Sequence, residues 1–434
     1  MKIGKPLANI KWLFLDKILK MVLSLVSTLL IARYLGPEDY GVLTLAISIV
    51  VMVSTISFLG IKQILVKYIV LDPKNANSYL STSLAICLVI NLILVMSFYL
   101  LWWNDESELI VMLSIIISSI IIKTTDLIRS YFEAKVEAKR VVIIENVSLS
   151  IGMIFKLAVI YYGGDIVQFA FIYLFESMLL SFGLLSLILK VNDTINIKFV
   201  DYKITQKMLK EGWPLLISSS AWIIYTRVDQ FMLASLLGNK SVGIYSAAIK
   251  VADLIVIVPS VISVSLIPLA AKHRDEAVSN QKFQEIYNLT TVVSLVICIA
   301  CFACSGYILP LFYGKEYIEA INVFDIYLWT SIFVSMASVS GKYLMYLGKQ
   351  KITMYRHTLG VAINIPLNYM LIKIYGVDGA ALSTLVCLIL TNLILDWFVL
   401  DTRICFYHKI RSFSFIRVFK MCIERFYNAK RRFS

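Results

Sequence analysis

The sequence predicts an all-α integral membrane protein, with about twelve transmembrane helices in two six-helix parallel repeats around a central cavity. Of its 434 residues, 59% are hydrophobic and only 16% are charged, and the mean hydropathy is +0.81. Soluble domains carry about 25% charged residues, so this chain uses lipid as its solvent. Spans in lipid must be helices or closed barrels, because the backbone has to satisfy its own hydrogen bonds. The long apolar runs lack strict alternation, and this excludes a barrel.

The apolar segments are each long enough to cross a bilayer, and they divide evenly between the two halves of the chain. The first segment is not expected to be a cleaved signal peptide, because it is too long, is charged and has no small-residue cleavage site after it. The predicted spans are 12–34, 41–61, 79–102, 108–130, 141–162, 166–189, 213–237, 243–268, 288–312, 320–341, 352–374 and 376–400.

Lysine and arginine side chains determine the predicted orientation. With the N-terminus inside, the inner segments hold 22 of them and the outer loops hold four, before the C-terminal tail is counted. Excess positive charge marks the cytoplasmic side, so both termini are predicted to lie inside. The net charge of +13 therefore reflects topology and gives no evidence for nucleic acid as a partner. The predicted domains are a six-helix bundle at 1–189, a cytoplasmic linker at 190–212, a second six-helix bundle at 213–400 and a basic tail at 401–434.

Four residues recur at identical spacing in the two halves, which indicates an internal repeat. A Tyr-Gly-x-Asp turn also recurs later in each half, at 162–165 and 375–378. Six spans per half is an even number, so both halves cross the membrane in the same direction, as in transporters with parallel repeats. The recurring residues are Ala32, Leu35, Gly36 and Gly41 in the first half and Ala234, Leu237, Gly238 and Gly243 in the second.

Arg227 and Asp229 lie near the middle of the seventh predicted span. A charge at that depth costs at least about 2.5–3.5 kcal/mol on insertion scales, so it normally faces the bundle interior or a wet cavity. Residues two apart cannot share one helix face, whereas Arg227 and Gln230 can. We expect Arg227 either to contact an anionic substrate in a water-filled path or to be held in a buried ion pair.

Six cations fall within the predicted spans and are the candidate substrate-binding residues. A pyrophosphate group needs cationic donors to replace its lost water, and the planar fork of arginine suits it. Structural alternatives remain open: Lys17 and Lys20 could extend to the interface, and Lys123 and Lys250 could pair with carboxylates three residues later. The six cations are Arg227, Lys156, Lys20, Lys17, Lys123 and Lys250.

Asp229 and Glu176 are the predicted ion-coupling residues, because they are the carboxylates nearest mid-membrane. A salt bridge to one of the span cations is the alternative for each. Asn364 and Asn368, four apart on one helix face, could bind sugar hydroxyls or make interhelical hydrogen bonds. Acidic residues near span ends are expected to be ordinary interface residues; these are Glu145, Asp325 and Asp396.

No catalytic, metal or cofactor site is predicted. Cys298, Cys301 and Cys304 recur every three residues but lack nearby histidine or carboxylate partners, so they are interpreted as small packing residues. The outer loops are short and hold no nucleophile with a base, and the sequence has no phosphate-binding loop of the G-x-x-x-x-G-K-[ST] type. An enzyme that acts on lipid-linked sugars is therefore disfavoured.

Five short segments, spread from residue 32 to about 381, resemble the bacterial polysaccharide flippases of the Wzx type. That family belongs to the multidrug/oligosaccharidyl-lipid/polysaccharide (MOP) exporter superfamily. Each segment is short and moderately specific, but together they are spread over nearly the whole chain. The segments are ARYLGPEDYG at 32–41, RVDQFML at 227–233 with VGIYSAA at 242–248, LFYGKEY at 311–317 and YGVDGAA at 375–381.

The resemblance implies a flippase that moves an undecaprenyl-pyrophosphate-linked oligosaccharide across a bacterial inner membrane by alternating access, with ion coupling left open. An exporter of small compounds driven by H⁺ or Na⁺ is the alternative within the same superfamily. The expected partners are the lipid-linked oligosaccharide and, as candidates, polysaccharide polymerase and chain-length proteins. The tail from Arg403 carries nine lysines and arginines between aromatic residues. It either lies on anionic inner-leaflet lipids or only adds to the topological signal.

Overall fold

The computed structural model describes residues 4–102, 107–190, 199–271 and 276–413. Within these ranges every regular element is helical, and nine segments are long and apolar enough to cross a membrane. The predicted all-α membrane class is confirmed; the count of twelve spans and the orientation stay predictions. The α-helices are α1 Gly4–Ser57, α2 Ile61–Leu71, α3 Ala76–Trp102, α4 Glu108–Lys123, α5 Asp126–Ala134, α6 Ala138–Tyr162, α7 Ile166–Lys190, α8 Tyr202–Leu237, α9 Asn239–Ala271, α10 Glu276–Tyr313, α11 Ala320–Leu328, α12 Thr330–Tyr346, α13 Gln350–Tyr375, α14 Val377–Ile389, α15 Leu395–Phe398 and α16 Arg403–Ser412.

The first two predicted spans lie in the single long helix α1, which is broken at Gly36. Gly36 has φ 73° and ψ 175°, a conformation that residues with a Cβ rarely adopt. Its counterpart in the sequence repeat, Gly238, follows the end of α8 with φ 88° and ψ 176°. The two glycines of the repeated motif therefore share one backbone conformation.

The second glycine of each repeat motif allows two helices to approach closely. A Cβ added to Gly41 would lie 1.9 Å from the carbonyl oxygen of Asn239, and one added to Gly243 would lie 1.8 Å from the carbonyl oxygen of Pro37. These neighbours are backbone atoms, which cannot move aside as the end of a side chain could. The repeated glycines thus permit a reciprocal contact between α1 and the start of α9.

We expect Gly41→Ala to lower the free energy of unfolding by about 1–3 kcal/mol, because overpacking against backbone forces the helices apart. The matched control is Gly306→Ala on α10, where an added Cβ meets no atom within 4 Å. That change should be neutral or stabilise by up to about 1 kcal/mol, since alanine favours helix. Thermal unfolding of the detergent-solubilised variants measures both; equal midpoints for Gly41→Ala and wild type would contradict the contact.

The described helices form two compact units, Met1–Ala234 with Gly238–Gly243, and Ser235–Leu237 with Ile244–Ser434. The core of the first unit packs α2, α5, α7 and α8 through residues such as Leu65, Tyr131 and Met208. Met208 belongs to the stretch predicted as a linker. From Tyr202 onward that stretch forms the first turns of α8, where the Asp201 carboxylate accepts the Lys203 backbone N–H at 2.7 Å.

The core of the second unit is built by α10 and α12, with aromatic residues such as Phe283 and Tyr343 in edge-to-face contact. Residues Arg403–Ser412 of the predicted tail form α16, whose fully buried Cys405 joins this core. Residues 414–434 lie outside the described part of the chain, and the predicted contact between the tail and anionic lipids stays a prediction.

Candidate functional site

A cavity of about 240 Å³ lies within the first unit, between α1, α4, α6 and α7. Its walls are mostly apolar, but four charged side chains line it: Lys20, Lys123, Glu145 and Glu176. Three of these four are among the predicted site residues. The structure therefore brings one predicted coupling carboxylate and two predicted cations to the same cavity.

Glu145 joins two cations from different helices. It is only 6% exposed; one carboxylate oxygen accepts from Lys20, and the other accepts from Arg129 at 2.6 Å. The Arg129 guanidinium also donates to Glu133 at 2.8 Å. The prediction of an ordinary interface residue is wrong for Glu145, because α6 directs this side chain into the bundle rather than toward the interface. Arg129 is a residue of this network that sequence reasoning missed.

Lys156 and Glu176, predicted to have separate roles, form one ion pair. Their charged atoms lie 2.6 Å apart, and Lys156 is 5% exposed. The Lys156 ammonium also lies over the Tyr173 ring, 4.6 Å from its centroid. Lys156 thus neutralises Glu176 beside the cavity, which agrees with the salt-bridge alternative for that carboxylate.

A second cavity of about 350 Å³ in the same unit shares Lys123 with the first. Its other charged residues are Lys62 and Asp126, which pair at 3.3 Å. The local pair considered for Lys123 and Asp126 is therefore replaced by a pair across two helices. Among the described residues, Lys123 has no carboxylate within ion-pair distance, although it lines both cavities.

Arg227 lies half-buried on α8, beside α1. Its guanidinium donates to the Ser48 hydroxyl at 3.5 Å, and that hydroxyl donates to the Gln230 side-chain oxygen. Arg227 and Gln230 share one face, as their spacing predicts. No carboxylate of the described chain lies within ion-pair distance of Arg227, whereas Asp229 is buried, with 4% exposure.

The remaining predicted site residues lie elsewhere. Asn364 and Asn368 on α13 are fully buried, and the Asn368 amide donates to the Asn364 oxygen at 2.9 Å. They line neither cavity, and this bond favours packing over sugar contact. Lys250 is half-buried on α9 in the second unit. The Lys17 side chain lies outside the described residues.

A buried charge cluster in the second unit was also missed. Asp396 is 0% exposed and accepts from both Arg356 and Lys409, so its prediction as an interface residue is wrong. Its partners lie 40 and 13 residues away, beyond the reach of helical spacing. In the part of the chain that the structure describes, no three His, Cys, Asp or Glu residues are grouped so that they could hold a metal ion.

Known proteins resemble this chain in sequence and in fold. A family model described as polysaccharide biosynthesis protein matches residues 7–273, and the MatE model matches 214–370. A putative O-antigen transporter of Shigella flexneri is 26% identical over 47% of this chain and 49% of its own length. The chain thus spans about half of that relative. A capsular polysaccharide biosynthesis protein of Staphylococcus aureus is 24% identical over 86% of this chain and 94% of its own length.

The fold matches those of two solved membrane proteins. The lipid II flippase MurJ in its inward closed conformation superposes with a TM-score of 0.75 at 17% identity, over 96% of this chain and 93% of its own. An inward-facing multidrug resistance MATE family transporter gives 0.72 at 12% identity, over 93% and 98%. Since the first family model covers more than half of the sequence, this multi-pass membrane protein belongs to the family described as polysaccharide biosynthesis protein.

Proposed function

We propose that the chain is a flippase that moves an undecaprenyl-pyrophosphate-linked oligosaccharide, such as an O-antigen repeat unit, from the cytoplasmic to the outer leaflet by alternating access. One observation carries the proposal: the cations Arg227 on α8 and Lys123 on α4 have no carboxylate within ion-pair distance in the described chain. A charge removed from water needs a partner of opposite sign. A pyrophosphate group supplies one, and it suits both the fork of Arg227 and the point charge of Lys123.

The carboxylates of the first cavity favour an anionic cargo over a cationic one. Glu145 is held by Lys20 and Arg129, and Glu176 is held by Lys156. A cationic compound would have to break these pairs before it gained a counter-charge. An anionic headgroup can bind Lys123 while the pairs stay intact.

Relatives support the same class of cargo. They include the putative O-antigen transporter, a probable low-salt glycan biosynthesis flippase of Haloferax volcanii that is 24% identical over 172 residues, and the lipid II flippase whose fold matches. These names describe transport rather than catalysis. The sugar portion of the cargo and the lipid to which it is attached are both part of the proposal.

The alternative is an exporter of small compounds driven by H⁺ or Na⁺, and the likeness to the MATE fold is consistent with it. A binding measurement separates the two classes. The purified chain is titrated with a short prenyl pyrophosphate, with the matching prenyl alcohol as control, and separately with a cationic dye. We expect saturable binding of the prenyl pyrophosphate but not of the prenyl alcohol or the dye. Lys123→Met should weaken that binding roughly tenfold or more. Binding of the dye without the pyrophosphate would support the exporter.

Glu176 and Asp229 are the proposed coupling residues if an ion gradient drives transport. For Glu176, the pair with Lys156 gives a mechanism, because protonation of the carboxylate would release the ammonium. Glu176→Gln should therefore make the transfer rate insensitive to a proton gradient that accelerates wild type severalfold. Asp165→Asn, an exposed carboxylate at the start of α7, is the control. An undiminished response to the gradient in Glu176→Gln would exclude this residue.

A further inference from the structure

The short helix α16 packs against the rest of the second unit through Lys409, a side chain with no exposure to solvent. Lys409 is 0% exposed, which is rare for a lysine because its charge is costly to remove from water. Cys405 and Ser412, on the same face of α16, are also buried, whereas Tyr407 and Ile410 on the other face are 46% exposed. Lys409 therefore lies at the centre of the packed face.

Within the part of the chain that the structure describes, the Lys409 amine donates to two acceptors. It donates to the Asp396 carboxylate at 2.8 Å and to the backbone carbonyl of Asn392 at 2.5 Å. Asn392 lies in a π-helical segment, Leu390–Ile394, between α14 and α15. Such segments are uncommon and often mark functional positions, because they leave carbonyls available to other donors. The second carboxylate oxygen of Asp396 accepts from Arg356, which is 4% exposed.

The cluster contains two basic groups but only one acid. Arginine stays protonated in proteins, so Arg356 alone balances Asp396. A neutral lysine amine keeps two N–H donors, and the two recorded acceptors need no more. Burial lowers the pKa of Lys409, with the Asp396 charge opposing this and the Arg356 charge adding to it. The charged and titratable groups that act on Lys409 are Asp396 from α15, Arg356 from α13 and Cys405 from α16 itself. Tyr287 from α10 interacts with the same three groups.

We propose that Lys409 is a proton-binding site that controls the docking of α16. The neutral amine fastens α16 to α15 and to the π-helical carbonyl, and uptake of one proton from water leaves a positive charge without a counter-charge inside the unit. The protonated side chain is accommodated only when α16 moves away and the ammonium reaches water. This device goes beyond the proposed transport, and its test involves no lipid cargo, so either can fail alone.

The test follows the opening of α16 through the buried thiol of Cys405 in the full chain. A pulse of a small thiol reagent is applied to folded and to unfolded protein at each pH from 6 to 9.5, and mass spectrometry reads the modified cysteine. The ratio of the two rates removes the pH dependence of the thiol chemistry itself. Cys298, fully buried in the same unit, reports any general unfolding.

The direction in which the opening constant of α16 changes with pH follows from proton binding. An undocked lysine titrates near its ordinary pKa of about 10.5, whereas burial lowers the pKa of the docked one. Between these two pKa values the opening constant should rise by up to about tenfold for each unit that the pH falls, and it should level off below the docked pKa. His408 does not contribute to the pH dependence between pH 6 and 9.5, because burial lowers its pKa to about 4.

In Lys409→Met and Lys409→Gln the side chain cannot take up the proton, so the protection of Cys405 should not change with pH. Lys409→Arg, which cannot lose one, should label at least tenfold faster than wild type at pH 9. The glutamine variant keeps an N–H donor, so the comparison survives if the methionine variant does not fold. The proposal is overturned if wild-type protection does not change with pH, if Lys409→Gln keeps the wild-type slope, or if Lys409→Arg is as well protected as wild type.

Discussion

Replacing Arg227 with alanine is expected to abolish lipid transfer while the protein still inserts and folds. Among the described residues the guanidinium hydrogen-bonds the Ser48 hydroxyl at 3.5 Å and has no carboxylate within ion-pair distance, so its removal leaves no described acid without its ion-pair partner. The loss falls on the anionic cargo instead. A hydrogen bond to a charged group contributes about 1.5–3 kcal/mol, or roughly 10- to 150-fold in binding.

Arg227→Lys should restore only part of the activity, because lysine keeps the charge but loses the two-pronged geometry that fits a phosphate. The matched control is Arg33→Ala, which removes an exposed arginine on α1 outside the hydrogen-bonded group of Arg227, Ser48 and Gln230. Transfer is measured in vesicles with equal amounts of each variant. Full activity of Arg227→Ala at normal abundance would refute its contact with the headgroup.

The largest expected effect on stability comes from Asp396→Asn. Arg356 is 4% exposed and Asp396 is 0% exposed, so the change leaves the guanidinium buried without a counter-charge. Breaking a buried pair by removing one partner costs about 3–5 kcal/mol. The α16 helix should also detach, because the Asp396 carboxylate accepts the Lys409 amine.

Asp401→Asn is the matched control for this change. Asp401 pairs with Lys349 at 2.8 Å, but both side chains are more than 40% exposed, so water replaces most of the interaction. Its loss should cost about 0–1 kcal/mol. Denaturant unfolding of the two variants in the same detergent compares them directly. A cost for Asp396→Asn no larger than that of Asp401→Asn would contradict the buried cluster.

The parts of this molecule that depend on local pattern could be predicted from the sequence. Apolar length predicts helices, and helical spacing places Arg227 and Gln230 on one face, where Ser48 contacts both. The repeated glycines predict equivalent breaks, and Gly36 and Gly238 adopt the same conformation.

The ion pairs between helices could not be predicted in the same way. Lys20 and Glu145 are 125 residues apart, and only the packed bundle brings them together. Depth in a span was a poor guide for Glu145 and Asp396, because burial depends on which way a helix faces as well as on its distance from the interface. Helical spacing predicts a pair between Lys123 and Asp126, but Asp126 pairs with Lys62 on another helix, and no other described carboxylate lies within ion-pair distance of Lys123.

Leaflet transfer in proteoliposomes tests the central claim most directly. The purified protein is incorporated into vesicles that contain a fluorescent lipid-pyrophosphate oligosaccharide, and a membrane-impermeant reagent reads the outer-leaflet fraction with time. The proposed function predicts protein-dependent transfer in wild type that Arg227→Ala removes and Arg33→Ala leaves unchanged. Absence of transfer with and without a proton or sodium gradient, together with protein-dependent uptake of a cationic dye, would contradict it.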